Sequence, residues 1–391
     1  MENFEIIILG AGASGCFCAL TAGEKGKKIL LIDKLSRAGK KLMATGNGRC
    51  NLTNKVILPS EKFYNQTIDK YISRFDNVKT LEYFNNIGLE TIADQEGRVY
   101  PFSNSAKSVI DVINNQLKSY ENITLSLENQ VEKIEKIGEK FIVYTSNGKF
   151  SCQKLVVAMG SKSGEEIIKT LKIKHKPFVP CLIALKTQST RSLDGIKLSN
   201  VKIEAVCGEK RHIENGEILF KDSGVSGIVI FNASSIFARS NNFSGSINID
   251  LMPHISHEEL TKALLKRRKI NVKISNFFDG MFVPQIGYYI LNNAKIQNEE
   301  RDSSALSIDE IKSLVNAIKK ISLSVKGHYE NNQIYSGGVK LDELTDDLES
   351  KQVKNLFFCG EICDVDGICG GYNLQWAWTS GRIVGEKLSQ K

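Results

Sequence analysis

Three rhythms of apolar and polar residues run along this chain, and each predicts a different element. Glu5–Leu9 (EIIIL) and Lys28–Ile32 (KILLI) are unbroken apolar runs, the pattern of strands buried on both faces of a parallel sheet. Lys154–Ala158 and Asn355–Phe358 read the same way, and each ends close to a glycine. Between the first two runs, Cys16–Lys25 is compatible with a helix. A 3.6-residue period follows in two stripes over 65–87, one of Ile68, Tyr71, Ile72 and Phe75, the other of Leu81, Phe84 and Ile87. It returns over Ser105–Ser119, with Ser105 as the expected cap and Val109, Ile110, Val112, Ile113 and Leu117 facing the core. A period of two, with turn residues, marks a hairpin around Gly97. It also marks a β-meander of Ile123–Leu125, Val131–Ile134 and Lys140–Thr145 that turns at Asn147–Gly148.

From about 178 to 335 the character changes. Short strands (Leu182–Lys186, Val201–Val206, Ile247–Leu251) mix with helices expected at Glu258–Arg268 and Ile308–Lys319. The last segment, 371–388, reads as a helix with Ala377, Ile383, Val384 and Leu388 as its apolar positions. Strand–helix–strand order at both ends of the chain predicts one α/β domain made of 1–177 and 336–391. The middle, 178–335, is expected to be an inserted mixed domain, β-barrel-like, with a helical subinsert around 255–320.

Chemistry concentrates where the first strand ends. Gly10-Ala11-Gly12-Ala13-Ser14-Gly15 joins strand to helix, and the second strand ends on Asp33, followed by Lys34. In this context Gly10 permits the turn, Gly12 admits a pyrophosphate and Gly15 brings helix and strand together. The helix N-terminus offers amides to phosphate, and Asp33 is placed for a ribose hydroxyl. A polar, glycine-bearing loop follows, with Lys41, Gly46, Gly48, Arg49, Cys50 and Asn51. Arg49 supplies charge suited to a phosphate or a reduced ring. Near the other end, Gly360, Glu361 and Asp364 lead to Gly371-Tyr372-Asn373-Leu374-Gln375 at the start of the last helix. Two glycines at a helix N-terminus leave free amides for negative charge.

The motifs GAGASG, KKLMATGNGRCNLTN and GE-x-x-D with GYNLQ resemble the BaiN-like family of FAD-dependent oxidoreductases, also called YhiN or aminoacetone-oxidase-like. The resemblance spans the chain, more loosely in the middle, where Lys221-Asp-Ser-Gly224-Val-Ser-Gly227 resembles a loop of that family. It implies a Rossmann-like FAD-binding domain, with FAD rather than NAD in the first site. It adds Val131 as a backbone contact to adenine, and Ala158 and Gly160 of a strand that resembles the family's A-T-G strand with Met159 in place of threonine. Its members reduce activated C=C bonds or oxidise small amines. NAD(P)H is expected as a transient co-substrate, since no second GxGxxG occurs. Tyr372 is the candidate proton donor, with packing under the ring as its alternative role. His328 and Tyr329 are possible cleft residues.

Bulk properties narrow the class. The chain has 391 residues, more than one core supports, and 25% charged residues. No apolar run approaches the roughly 20 residues that cross a bilayer. The first residues enter a strand rather than a secretion signal, and the nine cysteines are scattered without CxxC, so reduced thiols and a cytoplasmic protein are expected. Cys359, Cys363 and Cys369 match no zinc spacing, and no metal is expected. The net charge of +8 is diffuse except at Lys266-Arg267-Arg268-Lys269. That run is the one footprint of an alternative class, a flavoprotein acting on RNA, though it lacks interleaved aromatics and nucleic acid is not the expected partner.

Overall fold

The computed structural model describes residues 1–188 and 190–390. They form two compact units, Met1–Val179 with Ile334–Lys391, and Pro180–Gln333. The chain therefore leaves the first unit once and returns.

The first unit is built on a seven-stranded sheet. β1 (Glu2–Leu9) pairs in parallel with β2 (Ile29–Ile32), with Leu9 opposite Ile32, and with the strand Gly148–Val157 on its other side. Leu356–Phe358 continues the parallel layer. Helix α1 (Ala13–Gly23) and the C-terminal helix (Tyr372–Ser389) pack against each other. They approach closely because Gly381 and Gly385 present no side chain: a Cβ on Gly381 would stand 2.4 Å from the Ser14 carbonyl oxygen, one on Gly385 2.5 Å from Thr21 Cβ. Phe17, Phe84 and Trp378 fill the space beside this contact, with Phe17 and Trp378 centroids 4.6 Å apart.

The meander differs from expectation in two ways. Ile123–Ser126 is not part of it; this strand pairs in parallel with β2, on the opposite side of the sheet from Val131–Ile137. The buried strand expected at Lys154–Ala158 begins earlier, at the Asn147–Gly148 turn, and runs as Gly148–Val157. Its first residues pair antiparallel with Lys140–Thr145 and its last ones parallel with β1 and Leu356–Phe358. One strand thus carries both rhythms, because one end is covered on both faces and the other is not. The two stripes over 65–87 correspond to two helices, Asp69–Ile72 and Asn77–Asn86, the second capped by Asp76. Ser105 occupies the N-cap of Ala106–Lys118 but its side chain makes no capping hydrogen bond.

The second unit holds a closed antiparallel barrel of six strands, in the order Leu185–Thr187, Gly224–Ser226, Lys210–Lys221, Lys197–Cys207, Gly245–Asp250 and Ile321–His328. The expected Ile308–Lys319 helix is present and starts with a capping box of Ser307 and Glu310. His257–Arg267 starts the same way on Ser256 and Glu259. Helices Ile228–Arg239 and Pro284–Asn293 were not legible in the sequence. The first buries Asn232, Ser234 and Ser235 along with its apolar residues, so it shows little amphipathic contrast.

Candidate functional site

The glycine turn is built around close approaches that exclude side chains. A Cβ on Gly15 would lie 1.9 Å from the Gly10 carbonyl oxygen, and one on Gly10 would lie 2.5 Å from the Ala158 carbonyl. Gly12 is the exception. Nothing stands within 4 Å of its Cβ position, and its φ of −79° is ordinary. Its missing side chain therefore leaves open space rather than relieving a clash. It is also the N-cap of α1, with no side-chain cap and no acid in the first turn, so the first amides of α1 remain available. Ser14 is turned inward, its hydroxyl donating to the Cys359 carbonyl at 3.3 Å, while Ala13 is partly exposed.

Asp33 closes the turn from the end of β2. Its carboxylate accepts from the Ala11 amide at 2.7 Å and the Leu35 amide at 2.8 Å, and it stays partly exposed. Lys34 is exposed and reaches Ser163. Val131, at the start of an edge strand, is partly buried opposite Thr145.

The loop after Gly39 is a 3-10 segment, Lys40–Gly48, broken at Thr45–Asn47. Gly46, Gly48 and Arg49 lie on its accessible side; Arg49 stacks over Tyr100 at 4.3 Å. Lys41 and Glu361 converge on Gly160: Lys41 Nζ lies 3.4 Å and Glu361 Oε2 3.3 Å from its Cβ position. Glu361 Oε1 accepts from the Tyr335 amide at 2.8 Å. Burial pushes the Glu361 carboxyl up, against the pull of the Tyr335 amide, Lys41 and the Ser161 amide.

The C-terminal helix starts against the same loop. A Cβ on Gly371 would meet the Thr53 carbonyl at 2.5 Å, and the Asn51 amide, in its hydrogen-bonding orientation, accepts from Gly371 N at 3.0 Å. Tyr372 stacks on Phe63 with centroids 4.6 Å apart and planes 10° apart. Burial pushes its phenol up to about 12. Asn373 bonds back to Gly367, and Leu374 is partly buried.

Four expected cofactor residues have side chains committed inside the protein. Gln375 is fully buried; it accepts from Thr53 Oγ1 at 2.6 Å and donates to the Phe75 carbonyl, Thr80 and Thr379. Asp364 is buried in an ion pair with Lys176 at 2.6 Å. Cys50 is buried, with its thiol pushed up to about 12 by burial. Asn51 ties the loop to the helix. Any ligand contact from these positions runs through the backbone, and their side chains hold the loop. Sequence reasoning missed three other holders. Ser380 Oγ accepts from Gly360 N at 2.9 Å, Trp376 Nε1 donates to the Gly360 carbonyl at 3.1 Å, and Trp378 Nε1 donates to the Leu52 carbonyl at 3.0 Å. Only the Gly381–Gly385 spacing, a small-residue face on the same helix, signalled that packing.

Among the described residues no cluster of three His, Cys, Asp or Glu side chains is placed to hold a metal ion. Eight cysteines are buried and Cys369 is partly buried, all as free thiols. No helix among the described residues is long and apolar enough to cross a membrane.

The family described as the HI0933-like protein Rossmann domain matches residues 4–387. A 3-dehydro-bile acid delta(4,6)-reductase from Clostridium scindens is 27% identical over 99% of both chains. Ribosomal RNA dihydrouridine synthases from Haemophilus influenzae and Escherichia coli are 25% and 26% identical, over 99% of this chain and 99% and 98% of theirs. The chain belongs to the HI0933-like family of flavoprotein oxidoreductases.

Proposed function

We propose that this member of the HI0933-like family binds FAD in its first unit, takes reducing equivalents from NAD(P)H and reduces a C=C bond conjugated to a carbonyl. The observation that carries the cofactor reading is the open space over Gly12, in a turn where Gly10 and Gly15 are tightly packed. A pyrophosphate would occupy that space, bound by the first amides of α1. Asp33 would take the ribose. Lys41 and Arg49 would supply positive charge, and the helix amides that follow Gly371 would face negative charge on the ring. Bound FAD would supply the hydride.

The substrate reading draws on the relatives. A bile acid delta(4,6)-reductase saturates a C=C bond, and dihydrouridine differs from uridine by two hydrogens across one. Addition of hydride to a conjugated C=C leaves negative charge at the α-carbon, which needs a proton. Tyr372 is the candidate donor, since its phenol holds its proton at neutral pH. No second glycine-rich nucleotide turn is present in the sequence, so the nicotinamide is expected to dock transiently.

Anaerobic titration with NADH and with NADPH tests this reading, watching flavin absorbance at about 450 nm. Bleaching followed by reoxidation on adding an enone supports it. Reduction by a small amine, with oxygen consumed on reoxidation, would instead identify an amine oxidase. The two dihydrouridine synthases favour a second reading, reduction of uridine in RNA. The basic run adds little to it. Arg267 is engaged with the carbonyls of Phe277 and Asp279, and Arg268 donates to the Leu306 carbonyl at 2.7 Å, so both serve as helix-end fasteners. Turnover of a uridine-containing ribosomal RNA fragment, lost at high salt, would establish the RNA reading.

A further inference from the structure

The second unit carries a solvent-open cavity of about 560 Å³, formed wholly by its own residues. That volume is within the roughly 300–1,000 Å³ of small-molecule sites. The cavity lies where the end of helix Pro284–Asn293 meets the last turns of Ile308–Lys319 and the start of the strand Ile321–His328. Ser313, Asn316 and Lys320 recur at helical spacing and line one side; Tyr289 and Asn293, four apart, line the other, with Lys295 just beyond. No carboxylate lines it. None of these six side chains has a hydrogen-bond or ion-pair partner among the described residues. The strand side is fixed: Gln188 donates to the Ser322 carbonyl at 3.2 Å and accepts from Ser324 N at 2.6 Å.

A lysine near a helix C-terminus often does no more than fasten that end. Here other groups fasten both ends. Lys319 Nζ donates to the Met252 and Ile255 carbonyls at 2.9 and 2.8 Å and pairs with Asp250 at 2.7 Å, which leaves Lys320 free. Helix Pro284–Asn293 closes on its own backbone, with Ile296 N donating to the Leu291 carbonyl at 3.1 Å and Lys295 N to the Asn292 carbonyl at 3.0 Å. That closure holds Lys295 at a φ of 55°, a left-handed conformation that suits glycine or asparagine. Lysine there costs the fold, and its side chain fastens nothing in return. The cavity has no arginine, whose planar fork suits a carboxylate; lysines act as point charges and suit phosphate. Two ammonium groups match the charge of a phosphomonoester, roughly −1.5 to −2 at neutral pH. Asn293, Ser313 and Asn316 offer donors and acceptors suited to sugar hydroxyls, and Tyr289 offers an aromatic ring.

We propose that this cavity binds a phosphorylated sugar, free or as part of a nucleotide, with Lys295 and Lys320 on the phosphate and Asn293, Ser313 and Asn316 on the hydroxyls. The probes are ribose 5-phosphate, ribose and AMP, titrated calorimetrically into the FAD-saturated protein at low salt, where screening is weakest. Ribose 5-phosphate is expected to bind at least 10-fold more tightly than ribose. The Lys295→Gly, Lys320→Gln double variant is expected to lose that preference. Lys295→Gly alone is expected to weaken ribose 5-phosphate threefold or more without lowering the melting temperature, which separates binding from folding. AMP binding threefold or more tighter than ribose 5-phosphate, with the margin lost in Tyr289→Leu, identifies a nucleotide as the source. AMP binding no tighter identifies a free sugar phosphate. Undetectable binding of ribose 5-phosphate, affinity equal to that of ribose, or a preference that survives in the double variant overturns the site. AMP binding seen only in cofactor-stripped protein places it in the FAD site and overturns it equally. An oligoadenylate that binds more tightly per site than AMP overturns the small-ligand assignment in favour of single-stranded nucleic acid. No readout involves turnover, so each result is independent of the reductase reading.

Discussion

Gly12→Ala separates the cofactor site from the fold. The added methyl meets no atom within 4 Å and the φ of −79° suits alanine, so the folded chain accepts it. Alanine at a helix N-cap in place of glycine costs roughly 0.5–1 kcal/mol, and reduced freedom of the unfolded chain offsets a similar amount. The net change in stability without cofactor is expected to stay below about 1 kcal/mol. The same methyl fills the space proposed for the pyrophosphate. Displacing the phosphates from two amides forfeits two charge-assisted hydrogen bonds at about 1.5–3 kcal/mol each, roughly a 10²–10⁴-fold loss of FAD affinity. Gly15→Ala is the control: its methyl would stand 1.9 Å from a backbone carbonyl, so the helix must move, at a cost of about 3 kcal/mol or more. The assay pairs FAD titration of cofactor-stripped protein, read by quenching of flavin fluorescence, with urea unfolding of the same samples. Gly12→Ala protein that binds FAD as tightly as the wild type would refute the assignment of this space to phosphate.

Three further outcomes follow from individual side chains. Gln375→Leu leaves the Thr53, Thr80 and Thr379 hydroxyls and the Phe75 carbonyl without their shared partner. Unfolding is expected to become easier by about 2–4 kcal/mol, and a loss under 1 kcal/mol in urea would show the network to be dispensable. Glu361, held above its ordinary value by burial, stabilises the cofactor-free fold in its protonated form, fully below about pH 4.5, and that contribution is lost as pH rises through the raised value. Glu361→Gln is expected to flatten this part of the stability-versus-pH curve; unchanged curvature would assign it to another group. Tyr372→Phe keeps the stack on Phe63 and removes only the hydroxyl. A 100-fold fall in kcat, with FAD binding intact, is expected of a proton donor, and a change under threefold would leave Tyr372 with packing alone.

The elements that depend on local pattern were legible before the structure. The runs at Glu5–Leu9 and Lys28–Ile32 could only be buried strands, because nothing polar interrupts them, and the glycines between them had one familiar use. Ile308–Lys319 declared both its face and its cap. The limits were equally physical. A strand that changes from half-covered to fully covered along its length, as Gly148–Val157 does, carries two periods, and only its apolar end from Lys154 onward is legible as a strand. Gln375 looked like a ligand-facing polar residue; its partners lie about 300 positions away in sequence, and only packing brought them together. The barrel's six strands, drawn from 185–328, take their closed order only through the pairing of segments distant in sequence. Periodicity and turn chemistry act over a few residues and are written in the chain, whereas the pairing of distant strands and the closing of one helix on another are chosen by burial of the whole core.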